Sequence, residues 1–174
     1  MANTYKKIAS VTAGSGGASS MAFTSIPATY TDLVIKVSAR RSDTSQGSLS
    51  ARFNSDSGSN YSSRTLRGSG SAASSSTDSN NNLLPFWVIP GTSYTANTFG
   101  SADIYIPNYA GSTTKSISAE NTEENNATAA FMQMTAGLWS GTAAINAITL
   151  YANEQATGTF AEYTTATLYG IKKD

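Results

Sequence analysis

Leu33-Val34-Ile35-Lys36-Val37-Ser38-Ala39-Arg40 alternates apolar and polar side chains along most of its length. Leu33, Ile35, Val37 and Ala39 form one face, and Lys36, Ser38 and Arg40 the other. A period of two is the repeat of an extended chain, whose successive side chains point to opposite faces of a sheet. Working outward, the same pattern recurs. Ala102, Ile104 and Ile106 alternate with Asp103 and Tyr105, up to Pro107. Ile148 and Leu150 alternate with Thr149 and Tyr151, and Ala166 and Leu168 with Thr165, Thr167 and Tyr169. Further strands are expected at Tyr5 to Ala13, Ser19 to Thr24, Ser48 to Asn54, Tyr61 to Gly68, Phe86 to Ile89, Lys115 to Glu120 and Ala129 to Thr135. Helical spacing competes only over Ala129 to Leu138, where Ala, Met and Leu favour a helix; the flanking Thr, Phe and Trp favour a strand. Turn residues punctuate the runs at Gly14 to Gly17, Asn54 to Gly58 and Ser140-Gly141. The pattern predicts an all-β fold: an antiparallel β-sandwich, jelly-roll-like, of about ten strands.

The 174 residues suit a single domain spanning 1–174. Two segments stand apart: a flexible N-terminal arm over about 1–4, and a long polar loop over about 69–82, Ser-Gly-Ser-Ala-Ala-Ser-Ser-Ser-Thr-Asp-Ser-Asn-Asn-Asn. That run holds too little apolar surface to order itself by burial. Elsewhere, 27 Ser and 23 Thr replace much of the usual charge, since only 13% of residues are charged. Lys plus Arg and Asp plus Glu are 11 each. The balance removes the broad positive field that nucleic acid attracts, so no nucleic-acid partner is expected. No long apolar run is present, so neither a membrane partner nor a secretory signal is expected.

The chain has no Cys and no His. Thiol chemistry and most structural zinc sites are thereby excluded, and a serine nucleophile would lack its usual base. No catalytic residue, cofactor or metal site is assigned. The carboxylates considered for acid–base work are Asp103, Glu120, Glu123, Glu124, Glu154 and Glu162. Glu123 and Glu124 read as solvated charges of a polar loop. A weak calcium site is the alternative there, and at Asn54, Asp56, Asn60, Asp78 and Asn80 to Asn82, but the ordered ligand spacing of a calcium loop is missing. The residues proposed to contact protein partners are Tyr5, Lys6, Lys7, Arg40, Arg41, Arg64 and Arg67, because Arg and Tyr are favoured where surfaces meet. Among aromatics, Tyr5, Tyr61, Tyr94, Tyr105 and Tyr109 are the expected exposed rings that could stack on sugars, and Trp87 and Trp139 the expected core or margin residues.

Several segments taken together carry a resemblance: Ala2 to Ala9, Phe23 to Leu33, Ile104-Tyr105-Ile106-Pro107-Asn108-Tyr109, Gly137-Leu138-Trp139-Ser140, Ala144 to Leu150 and Ala166 to Ile171. The chain resembles a group of small virion proteins of tailed bacteriophages, cyanophages included, over nearly its whole length and least across Asn54 to Asn82. The resemblance implies a virion localisation, on the head exterior rather than the tail. It implies a decoration or cement protein, often a homotrimer, whose partners are its own copies and the major capsid protein or another virion protein. Related sandwiches in tail fibres make a host glycan the alternative partner. No site residue is carried over from that group.

Overall fold

The computed structural model describes residues 4–44, 46–86, 88–126, 130–153 and 155–172. Twelve strands and no helix occur among them: β1 (Tyr5–Thr12), β2 (Met21–Phe23), β3 (Asp32–Ala39), β4 (Ser50–Phe53), β5 (Tyr61–Gly68), β6 (Ala73–Asn81), β7 (Leu84–Pro85), β8 (Gly100–Pro107), β9 (Lys115–Glu123), β10 (Phe131–Trp139), β11 (Ile148–Tyr151) and β12 (Thr165–Ile171). All pair antiparallel, in an eight-stranded sheet of order β1-β12-β3-β8-β9-β10-β5-β6 and a four-stranded sheet of order β2-β11-β4-β7. The chain crosses repeatedly between sheets, so most spatial neighbours are distant in sequence. The result is the expected antiparallel sandwich, with two strands more than the alternation alone implied.

β3 sits centrally, between β12 and β8. Its alternating residues Leu33, Ile35, Val37 and Ala39 are all buried, against Ile104, Ile106, Leu168 and the small sheet's Met21, Phe23, Phe53, Ile148 and Leu150. Burying such side chains contributes about 1.5–3 kcal/mol each. Phe53, Tyr61 and Trp139 form an aromatic knot at one end, with ring centroids 6.1 and 5.7 Å from Phe53. Burial pushes the Tyr61 hydroxyl up to about 12. The hydroxyl meets both backbone polar groups of Phe53 and the carbonyl of Asp56.

The polar run 69–82 departs from its expected loop. Ala73–Asn81 is β6, the outermost strand of the large sheet, in register with β5 from Arg64 opposite Thr77 to Gly68 opposite Ala73. It buries almost nothing, with exposed side chains on both faces. Apolar periodicity therefore could not reveal it; its order comes from the backbone ladder with β5. Of the expected strand at Phe86 to Ile89, Phe86 and Val88 lie outside any strand and Ile89 forms one bridge to Gly47; Trp87, Ala129, Glu154, Lys173 and residues 1–3 lie outside the described residues.

Candidate functional site

β10 is inverted relative to the usual logic of a sandwich strand. Gln133, Thr135, Gly137 and Trp139 face inward and are buried, whereas Met132, Met134, Ala136 and Leu138 face outward. Met132 and Met134 are 61% and 51% exposed, and Leu138 is 37% exposed. A slip of one residue would bury these side chains, but two features oppose it. A Cβ at Gly137 would stand 2.6 Å from Leu84 Cδ2, so any larger residue at that inward position would require the buried Leu84 side chain to shift. Trp139 is anchored inward by an indole N–H donated to Asp56 Oδ2 at 2.7 Å. That carboxylate also accepts from Asn60 and from the Gly58 amide. Burial raises the Asp56 pKa, yet these hydrogen bonds outweigh it and hold the group below the ordinary value.

The cross-strand register extends the outward face of β10 into two rows. One runs Ser75, Leu66, Met134, Glu120, Asp103, Lys36. The next runs Thr77, Arg64, Ala136, Ser118, Tyr105, Val34. The short side chains of Ala136 and Ser118 leave a trough of about 720 Å³, walled by Tyr105 on one side and Arg64 on the other. Leu66 is 56% exposed at its rim. Asp103 is ion-paired with Lys36, both half-exposed, while Glu120 and Arg64 have no ion pair among the described residues. The Tyr105 hydroxyl donates to Asp32 Oδ2 at 2.9 Å; that bond, then burial, raises its pKa. The surface is amphipathic, largely apolar, and carries both charge signs.

Toward one end of β9, β10 and β5 the inner face is polar. Asn121 and Gln133 lie directly opposite one another and are buried, with Glu123 and Thr65 close by in the same layer. Glu123 accepts from Asn125 Nδ2 at 2.8 Å, and Gln133 Nε2 reaches the Phe86 carbonyl at 3.4 Å. Glu123 Oε2, Gln133 Oε1, Thr65 Oγ1 and the Asn121 amide have no hydrogen-bond partner among the described residues. The expectation that Glu123 is a solvated loop charge is therefore corrected: it closes β9 and is only 3% exposed, because the strand continues past Glu120. Its burial pushes the carboxyl up, against the opposing pull of Asn125 and of the Arg40 and Arg67 charges. A carboxyl raised in the folded state makes folding take up a proton, so its stabilising contribution is complete below about pH 4.5 and is lost as pH rises through the folded value. Glu123→Gln is expected to raise stability at pH 8 by about 1–2 kcal/mol and to leave it nearly unchanged at pH 4. Urea midpoints at the two pH values check this.

The sequence-selected interface residues are not brought together. Tyr5, Lys6 and Lys7 are exposed on β1, where Tyr5 packs edge-on to Tyr169 at 6.3 Å. Arg64 and Arg67 are on β5, six strand spacings away, on the order of 30 Å. Arg64 walls the trough; Arg67 covers the Phe131 ring with its guanidinium carbon 3.6 Å from the centroid. Arg40 and Arg41 are corrected from surface anchors to interior supports. Both are 8% exposed. β3 ends at Ala39, so the alternation that would have turned Arg40 outward stops there. Arg40 donates to the carbonyls of Tyr94, Thr95 and Thr98, and Arg41 to Asp43 and the Gln46 carbonyl. Tyr61 and Tyr109 are buried as well, leaving Tyr5 and Tyr105 as exposed rings from that set. Met132, Met134 and Leu138 alternate with period two along β10, and Leu66 lies in the alternation of β5, but periodicity alone does not say which face of either strand is inward.

Among the described residues no three acidic side chains gather where they could hold a metal ion. The Asn54 oxygen accepts from the Asn146 and Ala147 amides across to another loop, and the Asp56 oxygens accept from Gly58 and Asn60 within their own turn. No protein-family model, curated protein or solved structure matches this chain.

Proposed function

We propose that this chain is a non-catalytic structural protein of a tailed-bacteriophage virion, a capsid decoration protein that lays the outer face of its eight-stranded sheet against the major capsid protein lattice. The observation that carries this reading is the inversion of β10, which exposes Met132, Met134 and Leu138 beside Leu66 while burying Gln133 and Thr135. Contiguous exposed apolar side chains rimmed by polar ones mark contact surfaces. Methionine adapts to irregular partners. The absence of His and Cys from the chain and the resemblance to phage virion proteins support the same reading. The mechanism is mass action. A protein that binds only the assembled lattice stabilises it, because opening the shell must also break the added contacts.

The test is retention on purified heads that lack tails. The chain is expected to remain on them at hundreds of copies per particle, the order set by a lattice. Met134→Glu, which places a charge in the apolar row, is expected to weaken head binding about tenfold or more. Recovery of the chain only in tail fractions overturns the proposal.

The trough favours one second reading, a tail or fibre component that binds host-surface glycan. An exposed Tyr105 ring, flanked by Arg64, Glu120 and hydroxyl side chains, suits a sugar with one apolar face and many hydroxyls. This reading predicts binding to host polysaccharide that Tyr105→Ala abolishes. Binding that survives the change, or none at all, rejects it.

A further inference from the structure

The eight-stranded sheet has two margins, and they are built differently. β1 carries Lys6 and Lys7 and a register break between Lys7 and Ala9. Charged side chains and bulges are the usual protection of an edge against adding another strand. Its neighbour across the sandwich is β2, and the segment after β1 ties back through Ala13 to Thr164. β6 is less guarded. Its nine residues, Ala-Ser-Ser-Ser-Thr-Asp-Ser-Asn-Asn, contain no Lys and no Pro and a single charge at Asp78, and its one register break against β5 lies toward its far end, between Asp78 and Asn81, where Asn80 takes a left-handed φ of 58°. The small sheet ends at β7, which packs on β5 and β10. β6 therefore overhangs the sandwich. It is covered on neither face, and its outer row of N–H and C=O groups faces away from β5. Fixing these residues costs backbone entropy of about 1–2 kcal/mol each. A strand that buries no apolar surface recovers this from its ladder alone, and here half of the ladder is empty.

We infer that β6 pairs with β6 of a second copy of this chain, antiparallel across a two-fold axis, joining two large sheets into one. The side chains fit that occupant. Centring the pair on Thr77 sets Thr77 opposite its own symmetry mate, a cross-strand combination that favours pairing. It sets Ser76 opposite Asp78 of the other copy, so a hydroxyl can donate to each carboxylate, as Ser63 donates to Asp78 within one chain at 3.4 Å. The two Asp78 residues are then offset rather than directly opposed. β6 is otherwise uncharged, so no like charges oppose the register. A two-fold axis of this kind runs perpendicular to the sheet and leaves both outer faces on the same side. The two Leu66 and Met134 rows would then address one partner surface together. That consequence rests on the docking role proposed above; the dimer itself does not.

Mass measured by sedimentation equilibrium across a concentration series tests the pairing on the intact chain. A monomer–dimer equilibrium is expected. Thr77→Lys puts like charges face to face at the axis and is expected to raise the dissociation constant roughly five- to tenfold. Ser76→Lys puts a cation opposite each Asp78 and is expected to leave the dimer as tight or tighter. Both positions are solvent-exposed, and circular dichroism reports whether each variant keeps its fold. A monomer at every concentration, a trimer, or equal loss of the dimer in both variants overturns the pairing. Failure of head binding with the dimer intact would instead overturn the docking role.

Discussion

Phe53→Ala is expected to lower the unfolding free energy by about 3–5 kcal/mol, the usual cost of truncating a fully buried phenyl ring. Phe53 is completely buried on β4 and touches the rings of both Tyr61 and Trp139. Removing it opens a cavity where the two sheets meet, and the surrounding side chains are too firmly held to fill it. Tyr61 is tied to the backbone of Phe53 and Asp56, and Trp139 to the Asp56 carboxylate. Domains of this size have only about 5–15 kcal/mol of net stability, so the variant should unfold at much lower urea concentration. Tryptophan fluorescence and circular dichroism should report the same midpoint. A loss below about 1 kcal/mol would mean that the site collapses freely, against the packing described here.

Arg40→Ala should cost about 2–3 kcal/mol, through unpaired backbone carbonyls rather than lost packing. The Arg40 guanidinium gathers the carbonyls of Tyr94, Thr95 and Thr98 at 2.8–3.2 Å, and Thr95 in turn donates its hydroxyl to the Asn125 carbonyl at 2.6 Å. One cation thereby seats the stretch between Pro90 and β8 against the end of β9. Its planar fork reaches several acceptors at once. Lysine offers a single nitrogen, so Arg40→Lys should recover less than half of the loss. Urea unfolding measures the cost. Amide hydrogen exchange at residues 94–98 should accelerate in the alanine variant well below its global transition, because the Tyr94, Thr95 and Thr98 carbonyls lose the guanidinium that gathers them. Uniform protection there would show that Arg40 is not the anchor.

How far the chain was legible before folding depended on what each segment buries. β3, β8, β11 and β12 announce themselves because one of their faces is apolar and hidden. Their alternation survives as a pattern in the sequence, and it places Leu33, Ile35, Ile104 and Leu168 in the core without further information. β6 is silent for the opposite reason. Serine, threonine and asparagine on both faces look alike whether the backbone is extended or irregular, and only the presence of β5 beside it settles the matter. β10 shows its period but not its polarity. Met132 and Met134 would belong inside on hydrophobicity alone; they lie outside because Gly137 packs closely under Leu84 and Trp139 reaches inward to Asp56. The misplacement of Arg40 and Arg41 has a related origin, since alternation predicts a direction only while the strand continues.

The amino-acid sequence by itself determined the class of fold and the chemistry available. Period-two runs and small turn residues are local properties that compel sheets, and a chain without His or Cys lacks the groups most often used for catalysis and metal ligation. The tertiary structure alone decided which faces point outward, which strand hangs free at the margin, and which charges are enclosed. Those outcomes depend on contacts between residues far apart in the chain, such as Gly137 with Leu84 and Arg40 with Thr98, and no local pattern encodes them.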